Sequence, residues 1–150
     1  MVRTNAILVC LLTFFLALSV QAEQAETFGS YTIHYNAFTT DNLTPEIAKN
    51  YNIPRSRNRA LLNISVLKKM QGSMGIPVKA DINATATNLN SQLKQLEFRE
   101  HIEPGDPGAV YYLAETLVNH GETLTYTIKV TPEGNNESHT FTYKRQFVTE

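Results

Sequence analysis

Residues 78–87 carry the pattern that decides the fold, because their sequence, VKADINATAT, alternates strictly between apolar and polar side chains. The apolar members occupy the even positions from Val78 to Ala86, and a lysine, aspartate, asparagine or threonine occupies every odd position. Successive side chains of a β-strand point to opposite faces, so a strand of this sequence has one apolar face and one polar face. The stretch therefore predicts a strand that packs on a core with one face only.

Six further segments on either side repeat this two-residue period, and each predicts a half-buried strand. They are residues 31–37, 62–66, 96–102, 110–114, 124–130 and 141–147. Most of the gaps between them are short and rich in turn residues, which favours antiparallel pairing because parallel strands need long crossovers. The sequence thus predicts an all-β fold, an immunoglobulin-like antiparallel β-sandwich of about seven strands. A small up-and-down β-barrel is the alternative that the same pattern allows.

One short helix is predicted near the N-terminus of this domain. Thr44 is a suitable N-cap, and Pro45 suits the first helical position. Pro54 prevents the helix from continuing, because the residue before a proline is pushed out of helical geometry. The helix is therefore expected to occupy a turn or two between Thr44 and Tyr51.

The first 22 residues have the three parts of a secretory signal peptide. Arg3 supplies the positive charge, residues 6–20 are largely apolar, and Ala22 closes a small-residue cleavage site. The apolar run is short for a membrane-spanning helix, which needs about 20 residues. The sequence predicts a cleaved signal peptide, residues 1–22, and one exported domain, residues 23–150, with no integral membrane segment after cleavage.

Charge and cysteine content exclude several functions. Thirteen Lys and Arg residues against 14 Asp and Glu residues give a net charge of −1, so the basic excess that nucleic-acid binding requires is missing. Cys10, the single cysteine, lies inside the predicted signal peptide. The predicted mature chain therefore has no thiol nucleophile, no thiolate metal site and no disulfide.

Several stretches resemble one family of small exported proteins of gamma-proteobacteria. They are residues 51–66 (YNIPRSRNRALLNISV), 86–89, 96–100 and 111–115. The family is domain of unknown function 4426, and the resemblance extends over nearly the whole predicted mature chain. It implies a bacterial protein located in the periplasm. It brings no activity, cofactor or catalytic residue with it.

The densest charged feature of the chain is an arginine series that follows a tyrosine, namely Tyr51, Arg55, Arg57 and Arg59. In an extended backbone residues two apart share a face, so the three guanidinium groups are expected along one edge. Guanidinium forks bind carboxylates and phosphates. These four residues therefore form the predicted binding site for a protein partner or an anionic envelope component.

The arginines also have a structural interpretation, in which they pair with Glu97 or Glu100 on neighbouring strands and guard a sheet edge. Glu100 shares the parity of the apolar residues in its predicted strand, as Arg145 does in the last strand. A charge in the buried phase has to be paired or lie near a rim. The two residues therefore pair with each other, or a bulge shifts the phase of the strand.

No residue pattern indicates catalysis, a cofactor or a dedicated metal site. The histidines at positions 34, 101, 120 and 139 lack the spacing of a two-ligand zinc motif. Glu100 has no identifiable acid-base companion, so no catalytic residue is assigned. Met70 and Met74 flank Gly72 in one predicted loop, and thioether ligands combined with imidazole bind copper(I). These methionines are the basis for a third interpretation, a metal chaperone.

The sequence therefore predicts a non-catalytic periplasmic binding module for a protein or envelope partner. A carrier of a small molecule or lipid, held in a barrel or a pocket at one end of the sandwich, is the second interpretation. A copper or other metal chaperone is the third.

Overall fold

The computed structural model describes residues 24–149, so the predicted signal peptide, residues 1–22, lies outside the described part of the chain. The described residues form ten strands, a 3-10 turn (Thr40–Asn42) and one helix, α1 (Pro45–Asn50). The strands are β1 (Gln24–Phe28), β2 (Tyr31–Thr39), β3 (Arg59–Lys68), β4 (Ile76–Pro77), β5 (Ala80–Asn88), β6 (Leu93–Leu96), β7 (Phe98–Glu103), β8 (Ala109–Leu117), β9 (Thr123–Pro132) and β10 (His139–Gln146).

The strands pair into two separate antiparallel sheets. Sheet A has the order β1-β2-β3-β8-β7, with β4 paired to β3, and sheet B has the order β10-β9-β5-β6. The predicted all-β sandwich is confirmed. The alternative, a closed up-and-down barrel, is not formed by residues 24–149, because their strands remain in two sheets. The immunoglobulin-like refinement stays a prediction.

The main core lies between the sheets, where the inward residues of both alternate with outward ones. Sheet B contributes a fully buried series from β9, and sheet A contributes a matching series from β3. The members are Leu124, Tyr126, Ile128 and Val130 of β9 and Leu62, Ile64 and Val66 of β3. Burial of apolar surface at about 25 cal/mol per Å² is the main favourable term that holds the two sheets together.

The described residues form ten strands, whereas the periodicity predicted about seven, and three features explain the difference. β1 is a mostly polar strand, QAETF, and β4 has only two residues, so neither gives a periodic signal. Residues 96–102, predicted as one strand, include parts of β6 and β7, which belong to different sheets. The chain crosses from sheet B to sheet A at Glu97, and alternation cannot reveal a change of sheet.

The predicted helix is present. The Thr44 side chain accepts a hydrogen bond from the Ile47 N–H at 3.3 Å, and Pro45 occupies the first helical position. The Pro45 ring fixes a backbone angle that helices require, and its missing N–H is one that a first turn leaves unpaired. Local sequence therefore places α1 directly after the 3-10 turn at the end of β2.

Candidate functional site

The outer face of sheet A has an apolar centre on β3 and β8, whereas antiparallel sheets commonly turn a polar face outward. Leu61 of β3 and Leu113 of β8 lie on this face and are at most 5% exposed. Together with Ile53 they form a second buried cluster, separate from the main core. Phe38 and Tyr111 pack against that cluster as partly buried neighbours. This sheet is therefore packed on both of its faces.

The second cluster forms because residues 40–58, which we call the covering segment, lie over part of this face. The helix in this segment ends in a backbone reversal at Asn52, whose φ is +51°. The Asn52 N–H donates to the Lys49 carbonyl at 3.1 Å, and the Ile53 N–H donates to the Ala48 carbonyl at 2.8 Å. This paired arrangement is a common helix ending that brings the residue after the turn back onto the helix. It brings Ile53 into the cluster with Leu61.

Thr40 fixes the far end of the covering segment. Its hydroxyl donates to the Pro54 carbonyl at 2.8 Å and accepts from the Ser56 N–H at 2.9 Å. Thr40 is fully buried, so these hydrogen bonds satisfy groups that water cannot reach. The loop after α1 is thereby held against the 3-10 turn.

Tyr51 anchors the covering segment to β7, an edge strand of sheet A. Its hydroxyl donates to the Glu103 carboxylate, and its ring lies edge-on to His101 with centroids 4.2 Å apart. Its carbonyl accepts from Arg99 Nη1 at 3.0 Å. Burial, followed by the hydrogen bond and charge of Glu103, raises the pKa of Tyr51, so the hydroxyl keeps its proton at neutral pH. This predicted binding residue is therefore also a structural contact.

The arginine series divides into two groups. Arg55 donates to the Asp41 carbonyl at 2.8 Å, and Arg57 Nε lies 3.9 Å from an Asp41 carboxylate oxygen. Arg59 lies in β3, where Nη1 is 3.2 Å from Glu115 Oε2. The three do not share one extended edge, because the first two precede β3 in a loop and turn.

The prediction that the arginines pair with Glu97 or Glu100 is also wrong. Glu115 fills that role, since it binds Arg59 through one oxygen and Arg99 through the other, the latter at 3.0 Å. Arg99 in turn holds the Tyr51 carbonyl. These contacts link β3, β8, β7 and the covering segment in one charged network. A binding role for the arginines stays a prediction.

Two cavities lie along the outer face of sheet A, and a third lies beside it, next to the end of β10. The inner cavity, about 220 Å³, lies between the covering segment and the sheet, with Ile47, Tyr51 and Leu61 in its walls. Asn63 also lines it, and among the described residues its buried Oδ1 has no hydrogen-bond partner. The inner cavity is therefore mainly apolar, and the Asn63 carbonyl oxygen is a hydrogen-bond acceptor within its lining.

The other two cavities adjoin the inner cavity on opposite sides. The loop cavity, about 310 Å³, shares Tyr111 with it and also contacts His34, Leu67 and Met74. The edge cavity, about 600 Å³, shares Phe38, Leu43 and Ile47 with it and extends to residues 145–148. The shared residues make the three cavities parts of one interrupted groove.

Glu100 lies at the rim of the sandwich, and it pairs with Lys79 rather than with Arg145. Lys79 Nζ is 2.8 Å from Glu100 Oε1, and the Tyr112 hydroxyl donates to Oε2 at 3.2 Å. The hydrogen bond from Lys79 holds the pKa of the Glu100 carboxyl below its usual value. The predicted pair with Arg145 is not formed, because Arg145 belongs to β10 in the other sheet, where it lines the edge cavity.

A second carboxylate with a lowered pKa, Glu122, lies at one end of the sandwich. Burial favours its neutral form, but hydrogen bonds from Lys94, the Asn119 N–H and Asn88 together lower the pKa. Lys94 Nζ is 2.8 Å from the carboxylate, and it also donates to the Leu117 carbonyl. Both carboxylates thus stay ionised in lysine pairs, an arrangement that joins strands and turns.

The histidines occupy different parts of the sandwich. His139 stacks on Phe28 at 5.0 Å, His101 contacts Tyr51, and His34 lines the loop cavity with Met74. Within residues 24–149, no three His, Cys, Asp or Glu side chains come together as a metal site requires. The same described stretch contains no helix with the length and apolar character needed to cross a membrane.

Sequence reasoning missed the outer face of sheet A and the network on Glu115. A signal for the face was present, because residues 60–62 and 109–114 are continuous apolar runs, which are typical of strands buried on both faces. Glu115 had no comparable signal. Its partners are Arg59, 56 residues away, and Arg99, 16 residues away, and only the strand pairing brings them together.

These features define a class of protein, a two-sheet antiparallel β-sandwich domain with one apolar, partly covered outer face. The chain belongs to the DUF4426 family, a domain of unknown function, whose family model matches residues 25–150.

A crystal structure of a DUF4426 family protein from Pseudomonas aeruginosa PAO1 is 31% identical to this chain. The match covers 87% of this chain and 98% of that one, with a TM-score of 0.71. A family 123 glycoside hydrolase from Clostridium perfringens matches at 11% identity and a TM-score of 0.40, over 79% of this chain and 27% of that one. That likeness says nothing about activity. No curated protein matches the sequence.

Proposed function

We propose that this protein is an exported, non-catalytic binding module that recognises a protein partner of the cell envelope through the outer face of sheet A. The single observation that carries the proposal is the apolar character of this face, which the covering segment leaves partly open. Contiguous exposed apolar surface on a folded protein commonly marks an interaction site.

The sizes of the cavities favour a protein partner over a small molecule. Pockets for whole small ligands usually measure about 300–1,000 Å³. The inner cavity, about 220 Å³, is smaller than this range, and the loop cavity, about 310 Å³, only reaches its lower limit. Cavities of this size suit single apolar side chains of a partner. Tyr111 lies between them, and tyrosine is among the residues that contribute most to protein interfaces.

The surroundings of the two cavities also suit an interface. Met74 is 98% exposed beside the loop cavity, and Ile47 is 41% exposed beside the inner one. Arg59 and Arg99, bound to Glu115, form a charged border on the β7 side. An apolar centre with a polar rim is the usual anatomy of a protein interface.

Export and a non-catalytic role are supported by other residues. The charge, apolar run and small-residue end of residues 1–22 support export. The carboxylates with lowered pKa, Glu100 and Glu122, are bound to lysines, which suits a structural role better than proton transfer.

The test is affinity capture from periplasmic extract with the tagged, exported protein, comparing one arginine substitution on each outer face. Tyr111→Arg places a charge between the two cavities, and Thr127→Arg places the same charge on the outer face of sheet B. We expect wild type and Thr127→Arg to enrich the same protein, and Tyr111→Arg to lose it by at least about tenfold, the effect of losing one interface anchor.

Thermal melts of all three proteins separate lost binding from lost folding. Met74→Arg is a second variant on the binding face, and its nearly complete exposure means that folding should not change. Equal capture by wild type, Tyr111→Arg and Met74→Arg would overturn the proposal.

A further inference from the structure

We infer that the hairpin tip, residues 69–75 between β3 and β4, binds the surface of an anionic phospholipid bilayer and places its apolar side chains among the headgroups. This inference goes beyond the proposed function, because it concerns a loop at one end of the sandwich and a lipid surface rather than a protein partner. Three observations support it, namely the exposure of apolar side chains at the tip, the fixed shape of the turn and the charge beside it.

The first observation is that the hairpin holds large apolar side chains out in water. Met74 is 98% exposed, Met70 is 51% exposed, and Ile76 at the start of β4 is 39% exposed. Among the described residues, no other large hydrophobic side chain is as exposed as Met74. A single exposed apolar residue is ordinary, but three within residues 70–76 form a patch of the kind that marks an interaction site.

The second observation is that hydrogen bonds fix the shape of the tip. The Ser73 N–H donates to the Met70 carbonyl at 3.3 Å, and the Gly75 N–H donates to the Ser73 hydroxyl oxygen at 3.1 Å. Gly75 has a φ of +103°, and a Cβ at this position would lie 3.1 Å from the Lys68 carbonyl oxygen. Glycine therefore allows the tight closure of the hairpin. A turn that is already ordered loses little conformational entropy when it binds a surface.

The third observation is the charge beside the tip. Lys68 and Lys69 come directly before it, both are exposed, and residues 65–80 contain no Asp or Glu. The Lys69 N–H donates to the Ser30 carbonyl at 2.7 Å, which holds the base of the tip against the uncharged turn between β1 and β2. The tip thus has two adjacent positive charges, although the net charge of the chain is −1.

The other charges at this end of the sandwich belong to neighbouring elements. Lys79 pairs with Glu100 at 2.8 Å. Asp106 lies between β7 and β8, and Glu133 and Glu137 lie between β9 and β10. Salt screens exposed charges over about 8 Å under physiological conditions. The two lysines next to the tip therefore contribute most to the potential where the tip meets a surface.

A lipid surface fits this combination of a projecting apolar turn and adjacent lysines. The aliphatic stem of a lysine packs along apolar surface while its ammonium group stays in the polar layer, so Met74 can enter the headgroup region while Lys68 and Lys69 contact phosphates. Peripheral proteins bind anionic membranes through the same two contributions, apolar insertion and basic residues. Because few side chains take part, the binding is expected to be weak and reversible.

A tryptophan reporter at the tip tests the inference directly, because the chain has no tryptophan of its own. Met74→Trp is compared with Leu89→Trp, since Leu89 is 74% exposed in the turn between β5 and β6 at the opposite end of β5. The probes are vesicles of phosphatidylcholine alone and of equal parts phosphatidylcholine and phosphatidylglycerol. With the exported protein, we expect the emission of Met74→Trp to shift to shorter wavelengths on the anionic vesicles, with binding at least about tenfold tighter than on neutral ones. The emission of Leu89→Trp should not change.

Vesicle sedimentation of variants without tryptophan measures the apolar and the charged contribution separately. Met74→Ser should weaken binding to the anionic vesicles by about tenfold, and Leu89→Ser should leave it unchanged. Lys69→Gln should weaken it by about fivefold, whereas Lys144→Gln, the same change at an exposed lysine of β10, should not. All four side chains are exposed, so thermal melts should match that of wild type.

The inference is wrong if neither tryptophan variant shifts on anionic vesicles, if both shift equally, or if Met74→Ser binds as tightly as wild type. It is also wrong if wild type binds no vesicles while Met74→Ser loses a captured envelope protein, because the tip then belongs to the protein interface. Vesicle binding that depends on Met74 and Lys69, with no protein captured from periplasmic extract, would support the inference and contradict only the proposed function.

Discussion

The outer faces of sheets A and B start from the same alternating strand geometry, yet the centre of one is largely apolar and the centre of the other is polar. On sheet B the outward positions of the central strand β9 hold Thr125, Thr127, Lys129 and Thr131. On sheet A the corresponding positions of β3 and β8 hold Leu61, Leu67, Tyr111 and Leu113, among a few polar residues. Both sheets contribute equally regular faces to the main core. The difference between them lies wholly in the residues that the core does not need.

This difference shows what the covering segment does. A threonine-rich face such as that of sheet B is stable in water without protection. An apolar face has to be covered by the protein itself or by a partner. The protein covers one part with Ile53 and Tyr51 and leaves the cavities beside them open. The outer face of sheet A is therefore partly a second core and partly a surface for recognition.

The largest effect that would test this comparison comes from one leucine on each outer face. Leu61→Ala, in the second cluster, should lower the free energy of unfolding by about 3 kcal/mol, because it leaves a cavity among buried side chains. Leu93→Ala, on the outward side of β6 where the leucine is 60% exposed, should change it by less than about 0.5 kcal/mol. Urea unfolding of the two variants measures both values. Similar values for the two would mean that the outer faces are energetically equivalent.

An intermediate effect is expected from one carboxylate on each face. Glu115→Gln should cost about 1–2 kcal/mol, because it weakens contacts to Arg59 and Arg99 at a carboxylate that is only 18% exposed. Asp81→Asn, on the exposed outer side of β5, should cost about 0–0.5 kcal/mol.

Chemical denaturation in low and high salt provides the measurement and a further contrast. Partly buried charges are screened less than exposed ones, so the cost of Glu115→Gln should persist in salt. A cost that disappears in high salt would place Glu115 among ordinary surface charges.

The smallest expected change in stability comes from a glycine substitution on each face, and its sign should differ between the two faces. Asn52→Gly in the covering segment should raise stability by about 0.5 kcal/mol, because glycine adopts a positive φ without steric cost. Asn83→Gly on the outer face of sheet B should lower it by about 0.5–1 kcal/mol, since glycine weakens a strand interior. Thermal melts of the two variants should therefore shift in opposite directions. A downward shift for Asn52→Gly would show that its side chain, rather than its backbone, matters there.

The sequence predicted those parts of the fold that depend on local pattern. The alternation in residues 78–87 identified β5, and Thr44 with Pro45 identified the start of α1. The apolar outer face of sheet A was harder to predict from the sequence. Leu61 stands between Ala60 and Leu62, and an unbroken apolar run has no period that would assign its residues to one face or the other. A run of this kind shows that both faces are buried without showing what covers them.

The candidate site was harder to predict because its parts are distant in the chain. Tyr51, Arg55, Arg57 and Arg59 were expected to act together from their spacing alone. Two of them, Tyr51 and Arg59, are linked indirectly. Arg99 donates hydrogen bonds to the Tyr51 carbonyl and to Glu115, and Glu115 also accepts from Arg59. That link depends on the strand order β3-β8-β7, which local periodicity does not contain.

The strand order of sheet A also affects how fast the protein can fold. Its central pair joins β3 to β8, with Arg59 opposite Leu117, 58 positions further along the chain. Pairing strands so far apart carries a large loop-closure cost, and folds dominated by such contacts form over milliseconds to seconds rather than microseconds. The first three strands lack both β8 and the sheet B residues that cover the inner face of β3, so little stable structure can exist before β8 has been synthesised. The chain thus remains unfolded for most of its own synthesis, a delay that is compatible with the export proposed for it.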